Sequence, residues 1–61
     1  MKFEDVNTGQ YFYYRKTIYR RIEIVLSIKY PFTYKYYNAI NVKTGKLISV
    51  PNNHNVLLLR S

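Results

Sequence analysis

From Ile18 to Lys29 the chain alternates. The even positions read Ile18, Arg20, Ile22, Ile24, Leu26 and Ile28, and the odd ones Tyr19, Arg21, Glu23, Val25, Ser27 and Lys29. A period of two is the repeat of a strand; a helix would scatter the same isoleucines around its circumference. The run therefore predicts one long strand with its even side chains turned inward. A strand needs partners, and 61 residues allow a single domain, 1–61, with a thin core.

The partners are legible in the flanking sequence. Ile, Val, Tyr, Phe and Thr dominate, and Ala39 is the one alanine, so strands are favoured throughout. Asn7-Thr8-Gly9 reads as a turn before a first strand, Gln10–Arg15. Tyr30-Pro31-Phe32 interrupts the long strand, since proline has no N–H to donate. A strand over Thr33–Val42 follows. Lys43-Thr44-Gly45 then reads as a three-residue hairpin loop that sets Ile40 opposite Ile48. Lys46–Val50 returns, Pro51–Asn55 turns, and Val56–Arg60 is a last strand. Five short strands in so small a chain favour one strongly twisted sheet curled on itself. The expected fold is all-β, a small five-stranded SH3-like barrel, with a compact OB-like barrel as the alternative. The expected core is Phe3, Val6, Phe12, Ile18, Ile22, Ile24, Leu26, Ile28, Ile40, Val42, Ile48, Val50, Val56 and Leu58.

Two motifs frame the chain: Phe3-Glu4-Asp5-Val6 with Gly9 and Phe12, and Asn38-Ala39-Ile40-Asn41-Val42 with Thr44-Gly45. Together they resemble small proteins of tailed bacteriophages that read F-x-D-[LV]-x-x-G-x-x-F and N-A-[VI]-N-[LV]-x-T-G. The resemblance implies an SH3-like β fold and a phage or phage-derived origin. It implies no activity and carries no functional residue. Gly9 and Gly45 also serve as turn residues, and Val6, Phe12, Ile40 and Val42 as core. The basic, Tyr-rich segment Tyr13–Tyr37 departs from the pattern.

Catalytic chemistry has little to draw on. With no cysteine there is no thiolate nucleophile, thiolate metal site or disulfide framework, which fits a reducing cytoplasm. His54 is the one histidine and sits among asparagines in a predicted loop, where a solvated side chain is the expectation. Glu4 and Asp5 are adjacent, a poor spacing for a carboxylate pair on a strand. No apolar run approaches the roughly 18–20 residues that cross a bilayer. No apolar stretch follows the first residues, so no secretory signal is expected. The expectation is a cytoplasmic protein (host cytoplasm if phage-encoded), not an enzyme, without cofactor, metal or membrane role, monomeric or a weak homodimer.

Charge and rings share one stretch. The chain carries +7, with 10 Lys+Arg against 3 Asp+Glu. Tyr11–Tyr37 holds Arg15, Lys16, Arg20, Arg21, Lys29 and Lys35 against Glu23 alone, together with most of the aromatic residues. Cations displace counterions from phosphates, and tyrosine rings stack on unpaired bases. With even positions of the long strand inward, Tyr11, Tyr13, Arg15, Tyr19, Arg21, Lys35 and Tyr37 form an outer stripe, with Lys16 and Arg20 at its margin. The stripe predicts a nucleic-acid-binding face with weak sequence specificity and a preference for single strands. The alternative is a phage-encoded module that engages or inhibits an acidic host protein, since Tyr and Arg are also favoured at protein interfaces. Leu57 and Leu59, which have no evident place inside a small barrel, are expected to cover its open end; a strand-pairing or dimer edge is the alternative that would add to this reading. A solubility role for the cations and a covering role for the tyrosines is the plain alternative to both.

Overall fold

The structure, a computed structural model, describes residues 1–29 and 33–59. The expected interruption at Tyr30-Pro31-Phe32 and the end of the last strand lie outside the described residues. A short 3₁₀ turn, Phe3–Asp5, precedes five strands: β1 (Tyr11–Tyr14), β2 (Thr17–Lys29), β3 (Thr33–Asn41), β4 (Leu47–Ile48) and β5 (Leu57–Leu58). They form one antiparallel sheet in the order β4-β3-β2-β1-β5. The sheet is all-β and open, with β4 and β5 as its two edges. No helix of the described residues is long and apolar enough to cross a membrane.

The core gathers on one face at one end. Phe12 pairs directly with Tyr19, so both rings lie on that face, stacked at 5.8 Å between centroids. Phe3 meets Phe12 edge-on at 5.3 Å. Phe3, Val6, Phe12, Ala39, Val50 and Val56 are buried, with Tyr14, Tyr19, Ile48 and Leu58 packed against them. The N-terminal segment is the lid on this cluster. It is tied down by bonds from Phe3 N to His54 O (2.9 Å), Glu4 N to Asn52 O (3.1 Å) and Val56 N to Met1 O (2.7 Å).

The facing of β2 differs from the sequence reading. Odd residues Tyr19 and Arg21 turn to the core, while Ile18, Ile24, Leu26 and Ile28 are exposed. Val42 is exposed as well, and Ile22 and Ile40 are only half-buried. Two local causes act together. Phe12 opposite Tyr19 puts the largest rings on the odd face, and the Phe3–Val6 segment covers that face alone. The β3–β4 connection is also one residue longer than a three-residue loop. Asn41 Oδ1 accepts from Lys43 N and Thr44 N, and Gly45, at φ 77°, donates its N–H to Asn41 O. Ile40 therefore pairs with Leu47 and Ala39 with Ile48. One residue of slip exchanges the faces, so Ala39 and not Ile40 enters the core.

Candidate interaction surface on the β2–β3 arm

The strands are unequal, and the inequality builds the surface. β2 has 13 residues and β3 has 9, but β1 has 4 and β4 has 2. β1 pairs with β2 only over Thr17–Arg20, and β4 with β3 only at Ala39 and Ile40. Beyond these points β2 and β3 run on as a two-stranded arm, paired from Val25↔Tyr37 to Lys29↔Thr33. The molecule measures 40 × 24 × 19 Å accordingly. A bulge marks the root of the arm: between Arg21↔Ala39 and Val25↔Tyr37 the register shifts, leaving Ile22, Glu23 and Ile24 to face Asn38 alone. Such an insertion bends the strand and strengthens its twist.

Period two then sorts the arm into two faces. One holds Ile24, Leu26, Ile28, Tyr34 and Tyr36, with Leu26 opposite Tyr36 and Ile28 opposite Tyr34. Their exposures are 71, 58, 69, 69 and 55%. Among the described residues no charged side chain interrupts this face. The other face carries Val25, Ser27, Lys35 and Tyr37. A two-stranded ribbon wet on both sides is only marginally stable by itself, and contiguous apolar exposure of this kind marks contact surfaces.

The nine residues expected to form a nucleic-acid face are divided among four places. Tyr11, Tyr13 and Arg20 do share the outer face of the sheet, with Arg20 Cζ 5.7 Å from the Tyr11 ring centroid and Arg20 Nε donating to Gly9 O at 3.2 Å. Arg15 and Lys16 sit at the tip of the β1–β2 hairpin. Tyr19 and Arg21 are on the core side, against the expectation that they face out. Lys35 and Tyr37 are out on the arm. The proposed continuous stripe is therefore not assembled, because β2 turns its other side to the core and the bulge separates arm from base.

Arg21 has a structural task instead. Its Nη1 donates to Phe3 O (3.1 Å), to Glu4 O (3.4 Å) and closely to Val6 O, and its Cζ lies 4.7 Å from the Phe3 ring centroid. It thereby clamps the N-terminal lid. His54 also departs from the solvated loop expectation: it is half-buried, with Nδ1 hydrogen-bonded to Tyr14 Oη at 2.6 Å. Among the described residues no group of three His, Cys, Asp or Glu is placed to hold a metal ion.

Leu57 is 63% exposed beside Tyr13 on the outer face. Leu59 is half-buried and donates its N–H to Tyr11 O at 3.0 Å. The arm itself was missed by the sequence reading, although the mismatch between predicted strand lengths was a usable signal: long inner strands with short outer ones must overhang. Comparison of the chain with protein-family models, curated proteins and solved structures finds no match in any of the three.

Proposed function

We propose that this domain is a protein-binding module that presents the β2–β3 arm to an acidic partner, with a binding role and no catalytic one. The exposure of Ile24, Leu26, Ile28, Tyr34 and Tyr36 on one uncovered face carries the reading. Fully burying one such side chain is worth about 1.5–3 kcal/mol, so covering five that are more than half exposed contributes several kcal/mol. An uncharged face of aliphatic and tyrosine side chains suits a protein interface core better than a phosphate backbone. A net charge of +7 favours an acidic partner and speeds the encounter. The same reading takes the domain as an SH3-like barrel left open between β4 and β5; a last strand lying beside the first supports it. The resemblance to phage proteins would put the partner in a host cytoplasm.

The test is capture from nuclease-treated bacterial lysate with the wild-type chain and with a Leu26→Ser, Ile28→Ser, Tyr34→Ser variant. The expected outcome is a discrete protein bound stoichiometrically by the wild type and lost with the serine arm, at unchanged fold by NMR. Equal capture by both contradicts the reading, as does capture that vanishes with nuclease.

One observation favours nucleic acid as a second reading. Arg15 and Lys16 occupy the two left-handed positions of the β1–β2 turn, at φ 49° and 62°, where Asn-Gly is the favoured pair. Strain of this kind often persists where it serves function. Tyr13, Lys16, Ile18, Val42 and Lys43 are among the residues that line a recess of about 500 Å³. Lys16→Gly is expected to stabilise the domain by about 1 kcal/mol while weakening any salt-sensitive binding of a fluorescent oligonucleotide. Oligonucleotide binding that is unchanged by Lys16→Gly, or absent at low salt, removes this second reading.

A further inference from the structure

Among the described residues the arm has two edges with no neighbouring strand, and they are not equivalent. The β2 edge is bonded as far as Arg21, whose N–H donates to Gln10 O and whose carbonyl accepts from Gly9 N; beyond it lies the bulge between Arg21 and Val25, which disrupts the ladder and blunts the edge. The β3 edge over Thr33–Tyr37 belongs to a stretch whose register against β2 is unbroken. β4 ends at Ile48, short of this edge, and just beyond Ile48 the chain is held by the side chain of Asn38. The Asn38 carboxamide accepts from Val50 N at 2.8 Å and donates to Val50 O at 2.9 Å, in place of main-chain pairing, and Pro51, which has no N–H to donate, follows. Tyr34, Lys35, Tyr36, Tyr37 and Ser49 line a recess of about 310 Å³ beside the bare edge.

We infer that the β3 edge takes up an extended, acidic segment of a partner protein as an added strand, in line with β4. The inference rests on reading the arm as the protein-contacting element and adds the mode and the partner chemistry. Backbone N–H and C=O groups of Thr33–Tyr37 supply the new ladder, and alternate side chains of the incoming strand meet Tyr34 and Tyr36 on one face and Lys35 and Tyr37 on the other. Charge decides against a second copy of this chain. Antiparallel pairing of two such edges about their centre sets Lys35 opposite Lys35, an unfavourable like-charge pair, between two molecules that each carry +7. An acidic strand reverses both terms.

The probe is a synthetic peptide alternating valine and glutamate, titrated into the ¹⁵N-labelled chain. Three controls accompany it: a peptide with lysine in place of glutamate, the acidic peptide N-methylated on alternate peptide nitrogens along either edge, and sedimentation of the protein alone. Shift changes are expected to centre on the amides of Thr33–Tyr37. Affinity should fall about tenfold with Lys35→Glu and by about tenfold or more when N-methylation removes the ladder donors, a factor equal to roughly one lost hydrogen bond. The inference is overturned if the N-methylated peptides bind as well as the parent, if the lysine peptide binds equally, if the shifts centre elsewhere or do not occur, or if the protein alone dimerises through this edge. Should the serine arm lose its protein partner while the peptide leaves Thr33–Tyr37 unperturbed, strand addition is wrong and the arm reading stands. Should the serine arm keep its partner, the arm reading itself is wrong.

Discussion

Arg21→Ala should lower the stability of the domain by about 2–4 kcal/mol. One guanidinium nitrogen serves the carbonyls of Phe3, Glu4 and Val6, and a hydrogen bond to a charged group contributes about 1.5–3 kcal/mol. Its position over the Phe3 ring adds a cation–π term of about 0.5–2 kcal/mol. The contacts overlap, so they do not simply add. Arg21→Lys should recover little, because an ammonium on a flexible stem does not reproduce a planar fork stacked on a ring. A small domain has a margin of only about 3–5 kcal/mol, so urea unfolding is best followed with an excluded osmolyte that raises the baseline for both proteins. A change within about 0.5 kcal/mol, the usual range for a surface cation, would mean that Arg21 does not hold the lid.

Asn38→Leu should cost a comparable amount, about 2–4 kcal/mol, for a different reason. Asn38 is 8% exposed and Val50 2%, so the two main-chain groups of Val50 have no water to replace the lost carboxamide. Each buried orphan costs about 1–3 kcal/mol. The leucine fills the volume and adds apolar contact, which offsets part of the loss. Asn38→Asp keeps the acceptor for Val50 N but sets a second oxygen against Val50 O and buries a charge, so a loss at least as large is expected at neutral pH. Hydrogen exchange gives a local readout: the amides of Val50 and Ile48 should exchange faster in Asn38→Leu, with those of β1 changed only as far as global stability falls. Equal stability of wild type and Asn38→Leu would mean that this side chain does not tie the segment after β4 to β3.

Local pattern announced the strands, because a two-residue period depends on neighbours in sequence alone. Which face each strand turns inward depends on contacts between distant residues. Ile18, Ile24, Leu26 and Ile28 read as core by hydropathy. The core instead forms where Phe12 meets Tyr19 and where the Phe3–Val6 segment lands. The loop after β3 shows how small a cause suffices: Asn41 draws two amides to its carboxamide, the loop gains one residue, and Ala39 replaces Ile40 inside. Phe3, Val6, Phe12, Val50 and Val56 were legible as core because they lie outside this parity problem. The richness of Tyr and cations between Tyr11 and Tyr37 was legible too. Their separation was not, since it follows from the bulge at Ile22–Ile24 and from Arg21 being spent on three carbonyls.

The longest alternating segment extends past the strands that could shelter it, and among the described residues its aliphatic side is exposed; the proposed binding role rests on that overhang. Chemical denaturation of the Leu26→Ser, Ile28→Ser, Tyr34→Ser variant addresses this directly. The account predicts a free energy of unfolding within about 1 kcal/mol of wild type, as for exposed positions. A loss of about 4 kcal/mol or more, the scale of several large side chains removed from a packed interior, would contradict it.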